Sequence, residues 1–342
     1  MTDTNLTATT RELWERTAEK QINYKVVLVA ALMDRHQVKY KGGTSYKVTT
    51  DFEDLESLVV EHGDNTPLPG GSKTVFRTAQ WYPKGMECPV VIPASQMLSN
   101  KGEDTRIVPL EQSLVEKGQQ ALVQRLNRAI WRTGSASRDT DVNSNAEWQG
   151  VPDALTHDLQ YGGLERTIST TTNTFWQGAS LAGTFADYNT AITATIYNFR
   201  RDIDAVMAFC DDKKQLMAFT SNTIFRSLQS QVQGQVWYKP EGTMTRYGFT
   251  AMTIDDVEVV AEPWLTSSRN SAASTDVLKF AMLNLKYWRL MIDPERPLSN
   301  FTGFTHQAEI ANGTDQYLGR AMTRGNLICI HPNANIYHSN MS

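Results

Sequence analysis

The stretch DTRIVPLEQSLVEKGQQALVQRLNRAIWRTG, residues 104–134, does most to limit what this chain can fold into. Pro109 suits the first turn of a helix, where a missing N–H costs nothing. Leu110, Leu114, Val115, Ala121, Leu122, Leu126, Ala129 and Ile130 recur at helical spacing and form one apolar face. Gly134 ends the pattern. The predicted helix covers about 107–133, and about 25 residues at 1.5 Å of rise make a rod of roughly 37 Å. Such a rod needs a long body to lie against. With 342 residues the chain also passes the size at which single cores stop growing, about 250–300 residues. Two lobes or one elongated body are expected. Arg125, Arg128 and Arg132 gather at the C-terminal end of the rod. Helix-end electrostatics favours positive charge there, and the same cluster is a candidate interface.

Residues 37–85 have the opposite character. Before them, Thr10 is a plausible cap for a helix over roughly 11–36, with Leu13, Trp14, Ala18, Ile22, Val26, Val29 and Met33 in one stripe. In KGGTSYKVTTDF the period changes to two, and Tyr46 and Val48 alternate with polar neighbours. SKTVFRTAQWYP repeats this, with Val75, Arg77, Ala79 and Trp81 on one side. Between the two lies EHGDNTPLPGGSK, rich in turn formers. Two strands and a long polar connection hold too few apolar residues for a core of their own, and an isolated two-stranded hairpin is marginal in water.

The remaining pattern is mixed. FADYNTAITATIYNFRRDIDAVMAF reads as a second helix, and QLMAFTSNTIFRSLQSQV as a strand entering a helix capped by Ser221 or Asn222. TAMTIDDVEVVAEPWL, VLKFAMLNLKYWRLMI and NLICIHPNANIYH are each strand-like. No βαβ rhythm and no internal repeat emerge, so the class is α+β. QYGGLERTISTTTNTFWQG, residues 160–178, invites three readings: a phosphate site, a sugar site or a structural corner. The corner is favoured. Gly162 and Gly163 allow a turn at positive φ. The Thr run suits an exposed strand, and Trp176 is expected to pack that strand under the lobe that follows.

Composition excludes several functions. A net charge of −4 does not bind nucleic acid by bulk charge, which needs a strongly basic footprint. Three scattered cysteines, Cys88, Cys210 and Cys329, make no disulfide framework and point to a reducing compartment. The start is polar and charged with no signal-peptide pattern, and VVLVAALM is too short to span a bilayer. GGSKT fails the P-loop spacing, and YGGLER lacks the G-x-G-x-x-G of a dinucleotide loop. Cys329 and His331 share a strand face but lack further zinc ligands. Asp211-Asp212 and Asp255-Asp256 are adjacent acids that point apart, and no G-x-S-x-G occurs. No catalytic residue, cofactor site or metal site is expected.

Taken in order, these segments resemble tailed-phage major capsid proteins of the HK97-like fold. LVAALMDRHQVKYKGGTSYKV resembles that family's N-terminal helix and its Gly-Gly turn into an extended E-loop. TAQWYPKGMECPVVIPASQMLSNKGE resembles the loop's return strand, and LVEKGQQALVQRLNRAIWRTG the spine helix. QYGGLERTISTTTNTFWQG resembles the Gly-Gly, basic residue and Trp that precede the axial domain. AFTSNTIFRSLQS resembles an axial-domain strand and helix, and RGNLICIHPNANIYH the closing peripheral-domain strand. The resemblance implies an N-terminal arm at 1–36, an E-loop and return strand at 37–95, a peripheral domain at 96–180 and 300–342, and an axial domain at 181–299. It implies no enzyme. Copies would assemble as hexamers and pentamers into an icosahedral shell around double-stranded DNA, without sequence-specific binding and without a membrane. A separate scaffolding protein, a portal and decoration proteins are the implied partners. The first helix begins too early to leave room for a scaffolding segment. The place of work would be the virion, after assembly in the bacterial cytoplasm. Lys73, Arg77, Trp81, Lys84, Arg125, Arg128 and Arg132 are the interface candidates, with Lys73 and Lys84 also open to cross-linking; Gly162, Gly163, Arg166 and Trp176 form the structural corner. Two alternatives stand beside this reading: an encapsulin-type compartment shell and a carbohydrate-binding or hydrolytic protein.

Overall fold

A computed structural model describes residues 27–35, 37–39, 42–51, 55, 58–62, 70–72, 74–99, 110–131, 148–155, 160–164, 167–168, 171–172, 176–178, 192–210, 213–232, 251–265, 278–298, 300–306 and 315–341. These fall into two compact units. One holds Met86–Leu122 and Leu298–Met322; the other holds Lys25–Gly85, Val123–Pro297 and Thr323–Ser342.

The strands, in chain order, are β1 (Gln37–Lys39), β2 (Tyr46–Asp51), β3 (Phe76–Trp81), β4 (Lys84–Pro93), β5 (Thr167–Ile168), β6 (Thr171–Thr172), β7 (Leu216–Thr220), β8 (Ala251–Ile254), β9 (Val257–Ala261), β10 (Leu278–Asn284), β11 (Trp288–Ile292), β12 (Thr305–His306), β13 (Gln316–Cys329) and β14 (Ile336–Met341). The principal helices are Val27–Arg35, Leu110–Ile130, Ile192–Met207 and Asn222–Val232. The long predicted helix is therefore Leu110–Ile130, and residues 107–109 and 132–133 lie outside the described residues. Of the predicted 11–36 helix, Val27–Arg35 is described and 11–26 are not.

In the first unit, β4 alternates buried and exposed residues from Val90 to Pro93, as a strand with one covered face must. β12 pairs with the start of β13, and β4 also pairs with β13. Close approach is bought with glycine at two points. A Cβ on Gly118 of the long helix would stand 2.9 Å from the Val90 Cγ2, and one on Gly319 would overlap the Phe301 ring. Glycine lets helix and ring settle directly on the sheet.

The second unit is built round a sheet of order β14-β10-β7-β9-β8. Leu216, Ala218, Val257, Val259, Phe280, Met282 and Ile336 line one face. Phe199, Ile203 and Val206 of one helix pack there with Ile224, Phe225 and Leu228 of the other. Ser221 caps the Asn222 helix, its Oγ accepting from Ile224 N at 3.5 Å. On the opposite face Phe219 meets Trp131, ring centroids 5.5 Å apart. There the buried Glu262 carboxylate accepts from Val27 N at 3.3 Å and from Asn127 Nδ2 at 3.1 Å. It fixes the start of the Val27 helix, where four backbone N–H groups lack helical partners. The Asp255-Asp256 turn joins β8 to β9 with φ of 49° and 69°. That is the two-residue geometry whose twist matches a hairpin.

Two of the strand-like segments are interrupted. VLKFAMLNLKYWRLMI is two strands: β10 belongs to the sheet just described, whereas β11 pairs with β13 and with β1. The 3₁₀ turn Leu285–Tyr287 separates them. NLICIHPNANIYH breaks in the same way at Pro332–Ala334, and β14 pairs with β10. β14 thereby joins the sheet that carries much of the 181–299 segment. Asn335 ties both breaks together. Its Oδ1 accepts from Asn284 N and from Trp288 Nε1, each at 2.8 Å, and its Nδ2 donates to the His331 carbonyl at 2.8 Å.

Candidate assembly site

The excursion expected at 37–85 is a hairpin. β2 and β3 pair antiparallel from Tyr46↔Trp81 to Asp51↔Phe76. Side chains alternate across the ladder. Lys47, Thr49, Asp51, Phe76 and Thr78 are exposed on one face, while Thr50, Ala79 and Trp81 are buried on the other. Among the described residues from 55 to 76, several large apolar side chains are exposed. Val59 is 76% exposed, Val60 54% and Phe76 67%, with Leu55 and Leu58 also exposed. Leu58 lies against Gly71, where a Cβ would come within 3.2 Å of its Cδ2. Large apolar side chains at such exposure are candidates for contact with another molecule.

The root of this hairpin meets the Gly-Gly corner. Gly162 and Gly163 have φ of 61° and 71°. Tyr161 N donates to the Leu164 carbonyl at 3.2 Å, and Leu164 N to the Tyr161 carbonyl at 3.1 Å. This tight turn with positive φ twice suits glycine. Three aromatic residues gather round it, all buried. Trp81 lies 5.7 Å from Tyr161 and 6.4 Å from Trp176 by ring centroid, and Tyr161 lies 6.0 Å from Trp176. Trp176 Nε1 donates to the Tyr161 carbonyl at 2.8 Å. The Tyr161 hydroxyl accepts from Cys329 N at 2.7 Å, which bolts the corner to β13. Gln80 N donates to the Gly162 carbonyl at 2.8 Å. Trp176 thus packs on the hairpin root; the segment at 179–191, under which the sequence placed it, lies outside the described residues.

The interface candidates scatter. Trp81 is buried in the corner, and Lys84, expected on an exposed loop, is only 7% exposed. Arg77 is half-buried and its carbonyl accepts from Thr50 Oγ1 at 3.3 Å. Arg125 is exposed and Arg128 half-buried on the long helix. Lys73, Arg132 and Arg166 lie outside the described residues. The sequence reading missed Leu55, Leu58, Val59, Val60, Phe76 and Tyr161. The run Leu58-Val59-Val60, in a segment without a core of its own, was the available signal for those three. Burial holds the His331 side chain below the usual histidine range, where its ring packs 4.9 Å from Tyr287. Among the described residues no cluster of His, Cys, Asp or Glu could hold a metal ion, and no described helix is long and apolar enough to cross a membrane.

No protein-family model matches the sequence, and no curated protein is similar to it. Solved structures are similar along the whole chain. A chain of the cyanophage A-1(L) capsid asymmetric unit superposes with a TM-score of 0.66 at 13% identity, covering 100% of this chain and 99% of that one. The capsid of Myoviridae phage XM1 gives a TM-score of 0.56 at 10% identity, covering 96% and 97%. The capsid of an empty GTA particle gives 0.56 at 11% identity, covering 98% and 96%. Coverage of both partners from end to end makes the likeness one of whole chains. The protein therefore has the α+β fold of tailed-phage capsid chains, the HK97-like fold that the ordered motifs implied.

Proposed function

We propose that the chain is the major capsid protein of a tailed phage, a subunit that builds an icosahedral shell round double-stranded DNA. The observation that carries this reading is the hairpin: its root is locked to the body, while Val59, Val60 and Phe76 stand exposed. A second copy of the chain supplies the missing cover. Each exposed apolar side chain buried in this way contributes about 1.5–3 kcal/mol in the transfer limit, repeated at every subunit contact of a closed shell. Fold likeness to capsid chains over their full length supports the same reading. Subunits meet as hexamers and pentamers, a separate scaffolding protein guides them, and a portal occupies one vertex. Assembly takes place in the host cytoplasm and the product is the virion. No step asks for catalysis.

The test is expression of the full chain with its neighbouring scaffold gene, followed by light scattering and negative-stain imaging. Closed particles or capsomers are expected, and particles from infected cells should protect double-stranded DNA from nuclease. A 38.4 kDa monomer persisting at high concentration with scaffold present would overturn the reading.

A further inference from the structure

The geometry points to a role for the corner that its burial alone does not require. We propose that Gly162, Tyr161 and Trp176 are positioning residues for the hairpin, a clasp that sets the angle at which β2 and β3 leave the body. The proposal rests on the capsid-subunit reading, because the angle matters only if the tip must meet a second copy.

Three observations on consecutive residues of β3 and its exit carry it. Gln80 N is bonded to the Gly162 carbonyl. The Trp81 indole fills the space beside Gly162, where a Cβ would stand 3.0 Å from its Cε2 and Cζ2 and 3.1 Å from the Ala79 Cβ. The Tyr82 carbonyl accepts from Asn326 Nδ2 at 3.0 Å. The clasp itself is fixed to the body through the Tyr161 hydroxyl and Cys329 N. The return strand is thus held by main chain, ring and main chain in succession. The ladder then carries that orientation to β2. A lever fixed so near its root transmits small shifts there into larger ones at the tip.

Gly162 and Gly163 supply an internal control. Both have positive φ, so an Ala at either strains the turn alike. Only at Gly162 does the new Cβ press on Trp81; at Gly163 nothing lies within 4 Å. Contact and strain can therefore be separated by one methyl group moved one residue.

The experiment compares full-length wild type, Gly162→Ala, Gly163→Ala, Gly162→Ala/Trp81→Phe and Trp176→Phe. Amide hydrogen exchange of 46–51 and 76–81 is read on unassembled subunits, and particle diameter on assembled ones. For Gly162→Ala, exchange in the hairpin is expected to rise about tenfold over Gly163→Ala, with aberrant or absent particles from folded subunits. Trp81→Phe removes the part of the ring that the methyl meets and should restore slow exchange and wild-type diameter in the double variant. Should Gly162→Ala fail to fold, Trp176→Phe decides, since it keeps a ring but loses the bond to the Tyr161 carbonyl; faster hairpin exchange with altered particles is expected. Equal exchange and equal particles for the two Ala variants, or an unaltered hairpin in Trp176→Phe, would overturn the proposal. Wild-type chain that makes no particles would remove the capsid reading instead, and the exchange comparison would still decide whether the clasp holds the hairpin.

Discussion

β7 and β3 are strands of five and six residues in the same unit, and they live by different rules. Every residue of β7 is buried, Leu216 and Ala218 under two helices and Phe219 against Trp131. β3 alternates: Ala79 and Trp81 are covered, while Phe76 and Thr78 are not. A strand covered on both faces can be apolar throughout, whereas a strand covered on one face alternates. β7 thus completes itself within the chain. The hairpin is complete at its root and open at its tip, and the tip carries apolar side chains all the same. On the proposed reading, the difference separates residues that stabilise the subunit from residues that join subunits.

The largest effect should come from the self-contained side. Phe280→Ala removes a buried ring that packs on Phe199, 6.1 Å away, and should cost about 3–5 kcal/mol. Denaturant unfolding checks this, with shell formation lost only as a consequence of lost folding. Loss of assembly without loss of stability would blur the division.

Next comes the joint between the two sheets. Asn335→Ala leaves the Asn284 N–H and the Trp288 Nε1–H without their common acceptor, both inside the fold. Unpaired buried groups of this kind cost about 1–3 kcal/mol each, so at least roughly 2 kcal/mol of stability should disappear. Asn335→Asp keeps the acceptor and should lose less.

A smaller effect is one of pH. His331 has a folded value below its ordinary 6.5 because burial disfavours the charged ring. The unfolded chain then binds the proton more readily than the folded one. The stability tied to the neutral ring is present above pH 6.5 and is lost as pH falls from there toward the depressed folded value. Melting curves between pH 7 and 5 should show a fall for wild type that is shallower in His331→Phe. The same slope in both would remove His331 from the account.

How far all this could be read in the sequence follows from range. The Leu110–Ile130 helix and the β2 and β3 strands were legible because their periods are local. The breaks at Leu285–Tyr287 and Pro332–Ala334 were not. Leu285 and Tyr287 carry the alternation through the first, Pro332 marks the second only as a turn former, and the group that ties them is one Asn side chain more than fifty positions from Asn284. Alternation in SKTVFRTAQWYP placed Ala79 and Trp81 together, but could not say that Gly162 would cover them. Trp176 was legible as a buried ring. Its partner Trp81 is remote in sequence, so local pattern could not name it. Lys84 was a candidate only through the resemblance, and its burial in β4 had no local signal.

The smallest expected change in subunit stability belongs to the tip, and it tests the central claim most directly. Val59→Asp/Phe76→Asp alters two residues that are 76% and 67% exposed. Exposed substitutions shift stability by about 0.5 kcal/mol or less, so the unassembled subunit should melt like wild type. Sedimentation of the same sample under assembly conditions should show subunits where wild type gives shells. Shells of normal yield and diameter from the double variant would contradict the claim that the hairpin tip joins one copy to the next.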